Sequence, residues 1–187
     1  DPSRGAFTQE DPIGLVGGSN LFAYADNSPE VYQDSMGLII NVGNALAQWN
    51  DAKAYLMQND YMARVISTLE KSDVVYNIYA YKDFKNHFSF ALKFNSSPTI
   101  NWDPHFYVVS SEGAKISAKL ALGHELIHAY LYDINHEIVY DWNSHKDLAY
   151  DNEFEKITIA VERVVAADLG EDSRCSHHGR AYRYPVW

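Results

Sequence analysis

His124-Glu125-Leu126-Ile127-His128 packs two imidazoles and a carboxylate into one short stretch. On an α-helix, positions i and i+4 share a face, so His124 and His128 converge on one point while Glu125 stands beside them over the same cavity. Neutral imidazole is a good zinc ligand, and three protein ligands leave a fourth corner for a water whose pKa falls to around 7. Glu125 is then placed to take the proton as water attacks a carbonyl, and to deliver it to the leaving amine. With 8 histidines in 187 residues, such a motif arises by chance only on the order of 0.02 times per chain. An ionisable acid between two histidines on an otherwise apolar helix is costly unless it is used. The segment reads as a Zn²⁺ site with its general base.

A third ligand is required, and the acidic stretch Asp151 to Glu162 supplies candidates. Glu155, Thr158 and Glu162 share one helix face at i, i+3 and i+7 beside apolar Ile159, so this face points into a site. Glu155 is the expected ligand, ahead of Glu153 and Glu162, with Thr158 and Glu162 orienting the ligands. Glu153 suits the solvated start of the helix. His136 and His145 are alternatives in the intervening loop. The donor to a developing oxyanion is expected to be Tyr150, with Tyr130, Tyr132, Tyr140 and Tyr182 as alternatives. Thr99-Ile100-Asn101-Trp102 reads as a short edge strand able to bind an extended peptide by strand addition. Cys175, His177 and His178 lack a second ligand pair at a recognised spacing and are expected to be incidental.

These groups need positioning elements. The motif lies in a proline-free stretch, residues 114–132, apolar almost all round, which predicts a buried helix. A second helix is expected from Glu153 to Leu169, stopped by Gly170. The intervening stretch reads as a polar loop. Upstream, Leu46, Trp49, Ala52 and Leu56 form one helical stripe, and Met62, Val65, Ile66 and Leu69 form another behind a cap at Asp60. Val74 to Tyr81, Phe88 to Phe94 and Thr99 to Trp102 read as strands of a small antiparallel sheet. Residues 1–38 hold half of the ten glycines and half of the six prolines and cannot build a core alone.

A chain of 187 residues with 47% apolar and 14% aromatic residues has the material for one packed core and is not disordered throughout. The net charge of −10 disfavours a nucleic-acid partner, which needs a concentrated basic face; only Arg174, Arg180 and Arg183 hint at one. The single cysteine forms no intrachain disulfide. No apolar run approaches the roughly 18 residues of a membrane span, and Asp1-Pro2-Ser3-Arg4 is not a signal peptide, so export is expected to depend on a carrier.

Residues 4–38 contain Asp11-Pro12-Ile13-Gly14-Leu15 and its echo Asp34-Ser35-Met36-Gly37-Leu38, and they resemble the end of the Rhs/YD-repeat core. That resemblance implies a cage outside this sequence, export from a bacterium by secretion machinery, often type VI, and delivery of a C-terminal toxin into the target-cell cytoplasm. A cognate immunity protein is implied too. It further implies self-cleavage between Leu38 and Ile39 by Asp11 and Asp34, chemistry that suits two adjacent carboxylates sharing a proton. Ser35 stands where the family has proline. Residues 99–183, through Asn101-Trp102-Asp103-Pro104, the His-Glu-x-x-His helix and Glu162-Arg163 ahead of Leu169-Gly170, resemble NleD-like effector metallopeptidases. Asn152-Glu153-Phe154-Glu155 is similar to the acidic helix of anthrax lethal factor, which implies Glu155 as metal ligand. The expectation is an α+β, zincin-like zinc metallopeptidase domain over 39–187, with a small antiparallel sheet and an active-site helix. An irregular Rhs core segment over 1–38 precedes it, and a protein of the target cell is the substrate. Two other readings carry weight: a binding or pore-forming toxin with a structural metal, and a metal-dependent hydrolase of cell wall or nucleic acid.

Overall fold

The computed structural model describes residues 32–34, 39–80, 87–89 and 97–183. Its main sheet contains β1 (Tyr32–Asp34), β2 (Ile39–Asn41), β3 (Tyr76–Ala80), β4 (His87–Ser89) and β5 (Thr99–Trp102), in the order β1-β2-β3-β5-β4. Strands β2, β3 and β5 run parallel, and the outer strands β1 and β4 run antiparallel to their neighbours. The sheet is therefore mixed, where the sequence predicted a purely antiparallel one. Alternation of apolar residues fixes which face a strand buries but not the direction of its neighbour, and here the chain crosses over through two helices between β2 and β3.

Those helices are α1 (Leu46–Leu56) and α2 (Asp60–Leu69). Helix α1 buries Trp49, Ala52 and Leu56, and α2 buries Met62, Val65, Ile66 and Leu69. The cap of α2 is Asn59, one residue before the expected Asp60, because the Asn59 side chain accepts the Met62 N–H at 2.9 Å. Asp60 sits in the first turn, where its charge favours the helix dipole.

A second sheet, order β10-β6-β7, holds β6 (Phe106–Ser110), β7 (Lys115–Ile116) and β10 (Gly179–Arg183), all antiparallel. Helix α3 (Ala118–Ile134) follows β7 directly. The helical reading from residue 114 started too early, since Lys115 pairs with Val109 and Ser117 caps α3 by accepting the Leu120 N–H. Every residue of α3 from Leu120 to Ala129 is buried, as expected for a helix apolar on all sides. Trp102 at the end of β5 donates from Nε1 to the Ala118 carbonyl at 2.7 Å, tying the sheet to the start of α3. Gly123 allows close approach: a Cβ there would stand 3.0 Å from Leu56 Cδ2, so the missing side chain lets α1 lie against α3 one residue before His124.

The expected polar loop contains a helix, α4 (His136–Ser144), and a two-stranded ribbon, β8 (Lys146–Asp147) with β9 (Asp151–Asn152). Helix α4 escaped sequence reading because Val139 is its one buried residue, leaving no apolar stripe to detect. Helix α5 (Glu153–Leu169) runs over the predicted range and ends at Gly170 with φ of 70°. Among the described residues no helix is long and apolar enough to cross a membrane.

Candidate metal centre

Helices α3 and α5 pack against each other and supply the site between them. His124 and His128 are both 3% exposed, and their Nε2 atoms lie 3.0 Å apart. Glu155 reaches in from the first turn of α5, its Oε2 standing 3.1 Å from His124 Nε2 and 3.2 Å from His128 Nε2. That turn is fixed by Asn152, whose side chain accepts the Glu155 N–H at 2.9 Å. The three donor atoms thus form a nearly equilateral triangle. Tetrahedral zinc with bonds of roughly 2.0–2.1 Å separates its ligands by about 3.3 Å, so the donor set and its spacing fit that ion.

Each imidazole is held from behind. His124 Nδ1 stands 2.8 Å from Glu162 Oε2, and Glu162 is fully buried. Arg174 grips the same carboxylate through Nε at 2.9 Å and Nη2 at 2.7 Å. The Thr158 hydroxyl donates to the Phe154 carbonyl at 2.9 Å, which uses its single hydrogen, so His128 Nδ1 carries the proton given to Thr158 Oγ1 at 3.1 Å. His128 therefore turns an unprotonated Nε2 lone pair to the triangle, while His124 Nδ1 stands between the Glu162 carboxylate and Arg174 Nη2, the latter at 3.1 Å. Phe154 packs against the His128 ring at 4.2 Å between centroids.

Without a metal the cluster keeps one proton on His124. Burial works against that charge, but hydrogen bonds to the Glu155 and Glu162 carboxylates hold its pKa up at about 9. His128 goes the other way, pushed down to about 4 chiefly by burial, with the neighbouring His124 charge adding to it. Burial would raise the two carboxylates; instead the imidazoles hold Glu155 well below the usual range, and His124 with Arg174 brings Glu162 to about 2.

Glu155, Thr158 and Glu162 thus occur together at the two histidines, on the face their spacing indicated. Glu125 is 5% exposed beside them. The other ligand candidates lie elsewhere: Glu153 pairs with Lys156 at 3.1 Å, His136 packs on Tyr132, and exposed His145 lies 3.8 Å from Asp141. Tyr150 sits in the turn between β8 and β9, its N–H on Asp147 Oδ1; among the described residues no hydrogen bond links its phenol to the triangle. Tyr130 meets Tyr61, Tyr132 meets Tyr140, and Tyr182 stacks on Tyr107.

Three expectations need correction. Thr99–Trp102 is not an edge strand: β5 is paired on one side with β3 and on the other with β4, so its backbone is already used and cannot take an added strand. His177 is not incidental. Its Nε2 lies 3.5 Å from Glu155 Oε2, its ring stacks near His124 at 6.1 Å, and its Nδ1 meets Asp151 Oδ2 at 2.6 Å. It shares with His124 and Glu155 a group of ligand atoms all within 4.8 Å of one another. Arg174, read as part of a basic patch, is instead 7% exposed and consumed by Glu162. Neither residue lies on a periodic element, and only metal-ligand composition in the tail could have drawn attention to His177. Asp11 and Leu38 lie outside the described residues, as do the side chains of Asp34 and Ile39; the backbones of Asp34 and Ile39 are paired opposite each other between β1 and β2.

No family model and no solved structure matches the chain. A stretch of 39 residues is 49% identical to Toxin protein Tse5 of Pseudomonas aeruginosa, covering 21% of this chain and 3% of that protein.

Proposed function

We propose that the chain is a zinc-dependent endopeptidase carried by a secreted bacterial toxin. The observation behind this reading is the triangle of His124, His128 and Glu155 donor atoms, 3.0–3.2 Å on a side, with an acid next to it on the same buried helix. A mixed sheet backed by a buried ligand-bearing helix, with a second helix bringing the third ligand, suits a zincin-like α+β fold. The stretch shared with Tse5 supports the toxin role and the relationship to Rhs-type toxins.

Zinc, when bound, supplies a Lewis acid that acidifies water to a pKa around 7 and polarises a peptide carbonyl. The chain does the rest. Glu125 accepts a proton at its carboxylate and returns it to the departing nitrogen. Glu162 and Thr158 stand behind the two Nδ1 atoms, so that once His124 gives up its extra proton both imidazoles can offer Nε2, and Arg174 keeps Glu162 ionised. The test is one preparation of wild type beside Glu125→Gln. One zinc per chain in both, with lethality and target-protein cleavage lost in the variant, is the expected result; undiminished lethality of the variant removes the reading.

The wider proposal follows the same course. Self-cleavage by Asp11 and Asp34 between Leu38 and Ile39 frees residues 39–187 from an Rhs cage, secretion machinery delivers them into the target-cell cytoplasm, and an immunity protein protects the producer. Mass spectrometry of terminal peptides should find an Ile39 N-terminus that disappears in Asp34→Asn. A second reading, a toxin acting by binding or pore formation with a structural metal, draws support from His177 near the fourth corner of the site. There Glu125→Gln is harmless, whereas His128→Ala unfolds the chain.

A further inference from the structure

We propose that His177, aimed by Asp151, is a fourth and displaceable protein ligand of the His124–His128–Glu155 site, covering the reactive corner until substrate or another donor takes its place. This rests on the metal reading above and adds to it a built-in cover.

Each of the three imidazoles around the triangle has a side-chain oxygen behind its Nδ1, and His124 has Arg174 Nη2 there as well, at 3.1 Å. His124 gives its Nδ1 side to Glu162 at 2.8 Å, His128 to Thr158 at 3.1 Å, and His177 to Asp151 at 2.6 Å. A carboxylate accepts and never donates when ionised, so Asp151 leaves the His177 proton on Nδ1 and its Nε2 lone pair directed inward, 3.5 Å from Glu155 Oε2. A second observation is independent of the ring. Asp151 has φ of 71°, the one non-glycine residue in the left-handed region among those described. Backbone held in that region is strained and persists where the surroundings enforce it, often at a functional group. Here the conformation brings the carboxylate to His177 from the ribbon that precedes α5.

The cover is a side chain on a fixed backbone. The His177 N–H donates to the Ala149 carbonyl at 3.0 Å, and the His178 carbonyl accepts the Ser111 N–H at 3.0 Å. Arg174 anchors the same segment in the core. The His177 side chain itself is 33% exposed, against 4% for His124 and His128. Rotation about its own bonds carries the imidazole toward solvent with no movement of the loop, whereas the other two rings have no such freedom.

X-ray absorption at the zinc edge of the full chain counts imidazoles directly. The expected counts are three in wild type and two in His177→Ala, with one zinc retained in each. Two in wild type overturns the assignment, and a wild type that binds no zinc overturns the metal reading with it, a separable result. Zinc dissociation constants should rise about 10- to 100-fold in His177→Ala and about tenfold in Asp151→Asn; unchanged constants in both count against the proposal. Saturating wild type with acetohydroxamate tests displacement. A fall from three imidazoles to two supports it, and a count that stays at three, with or without the hydroxamate bound, overturns the displacement.

Discussion

Glu125→Gln keeps the volume of the side chain and removes its capacity to accept a proton, so kcat should fall on the order of 10²–10⁴-fold with zinc content unchanged. Metal affinity should depend on pH through His124, whose pKa stands at about 9. A metal must displace that proton, so below pH 9 each unit of rising pH should strengthen zinc binding about tenfold. His128, at about 4, adds a second proton only in acid. A competition titration against a chromophoric chelator between pH 6 and 8 reads the slope, and a flat profile contradicts a protonated His124. The stability sign in the metal-free chain is opposite. A raised His124 pKa stabilises most below its ordinary value of 6.5 and is lost as pH rises through about 9, while Glu162 stabilises above 4.5 and loses that contribution as pH falls toward 2. At this scale the sequence carried the histidine pair, because helix geometry alone joins i and i+4, and it carried Glu155 through the shared face with Thr158 and Glu162. It did not carry His177 or Arg174. Both sit on an irregular segment whose place is set by tertiary docking, which leaves no period in the sequence.

Helix starts set ligand positions. Asn152 accepts the N–H of Glu155 itself, so Asn152→Ala should cost about 1 kcal/mol of stability and also weaken zinc binding as the ligand-bearing turn frays. Asn59→Ala removes the cap of α2 and its 2.8 Å bond to Asp168, with a comparable or larger loss of stability and no change in zinc affinity. Thermal unfolding of the metal-free variants beside zinc titration separates the two effects; equal zinc affinity in both variants counts against the ligand-bearing role of the α5 start. Helices α1, α2, α3 and α5 were legible because each has an apolar face or core. The order of strands was not, since β3 and β5 have the residue content of neighbours in either direction, and α4 was hidden by its polarity.

At the scale of the whole chain, the tail reaches the candidate site. Segment 170–178 carries Arg174 and His177 to the α3–α5 interface, and β10 then pairs along the length of β6. Zinc bound to the folded state and absent from the unfolded one must stabilise the whole molecule. Free zinc at about a hundredfold above its dissociation constant should raise the unfolding free energy by about 2.7 kcal/mol and Tm by about 5–10 °C. Calorimetry with and without chelator checks this, and an unmoved Tm would mean that the folded triangle does not capture the ion. A different consequence follows from β1, which lies on the far side of the proposed scission point yet is laced to β2 with Asp34 opposite Ile39. Breaking the peptide link would leave the two pieces zipped by main-chain bonds, so departure requires peeling as well as cutting. Once β1 peels away, β2 presents a raw border of unsatisfied amides and carbonyls, a sticky seam that the liberated fragment must cover with some other strand or hold out of solution.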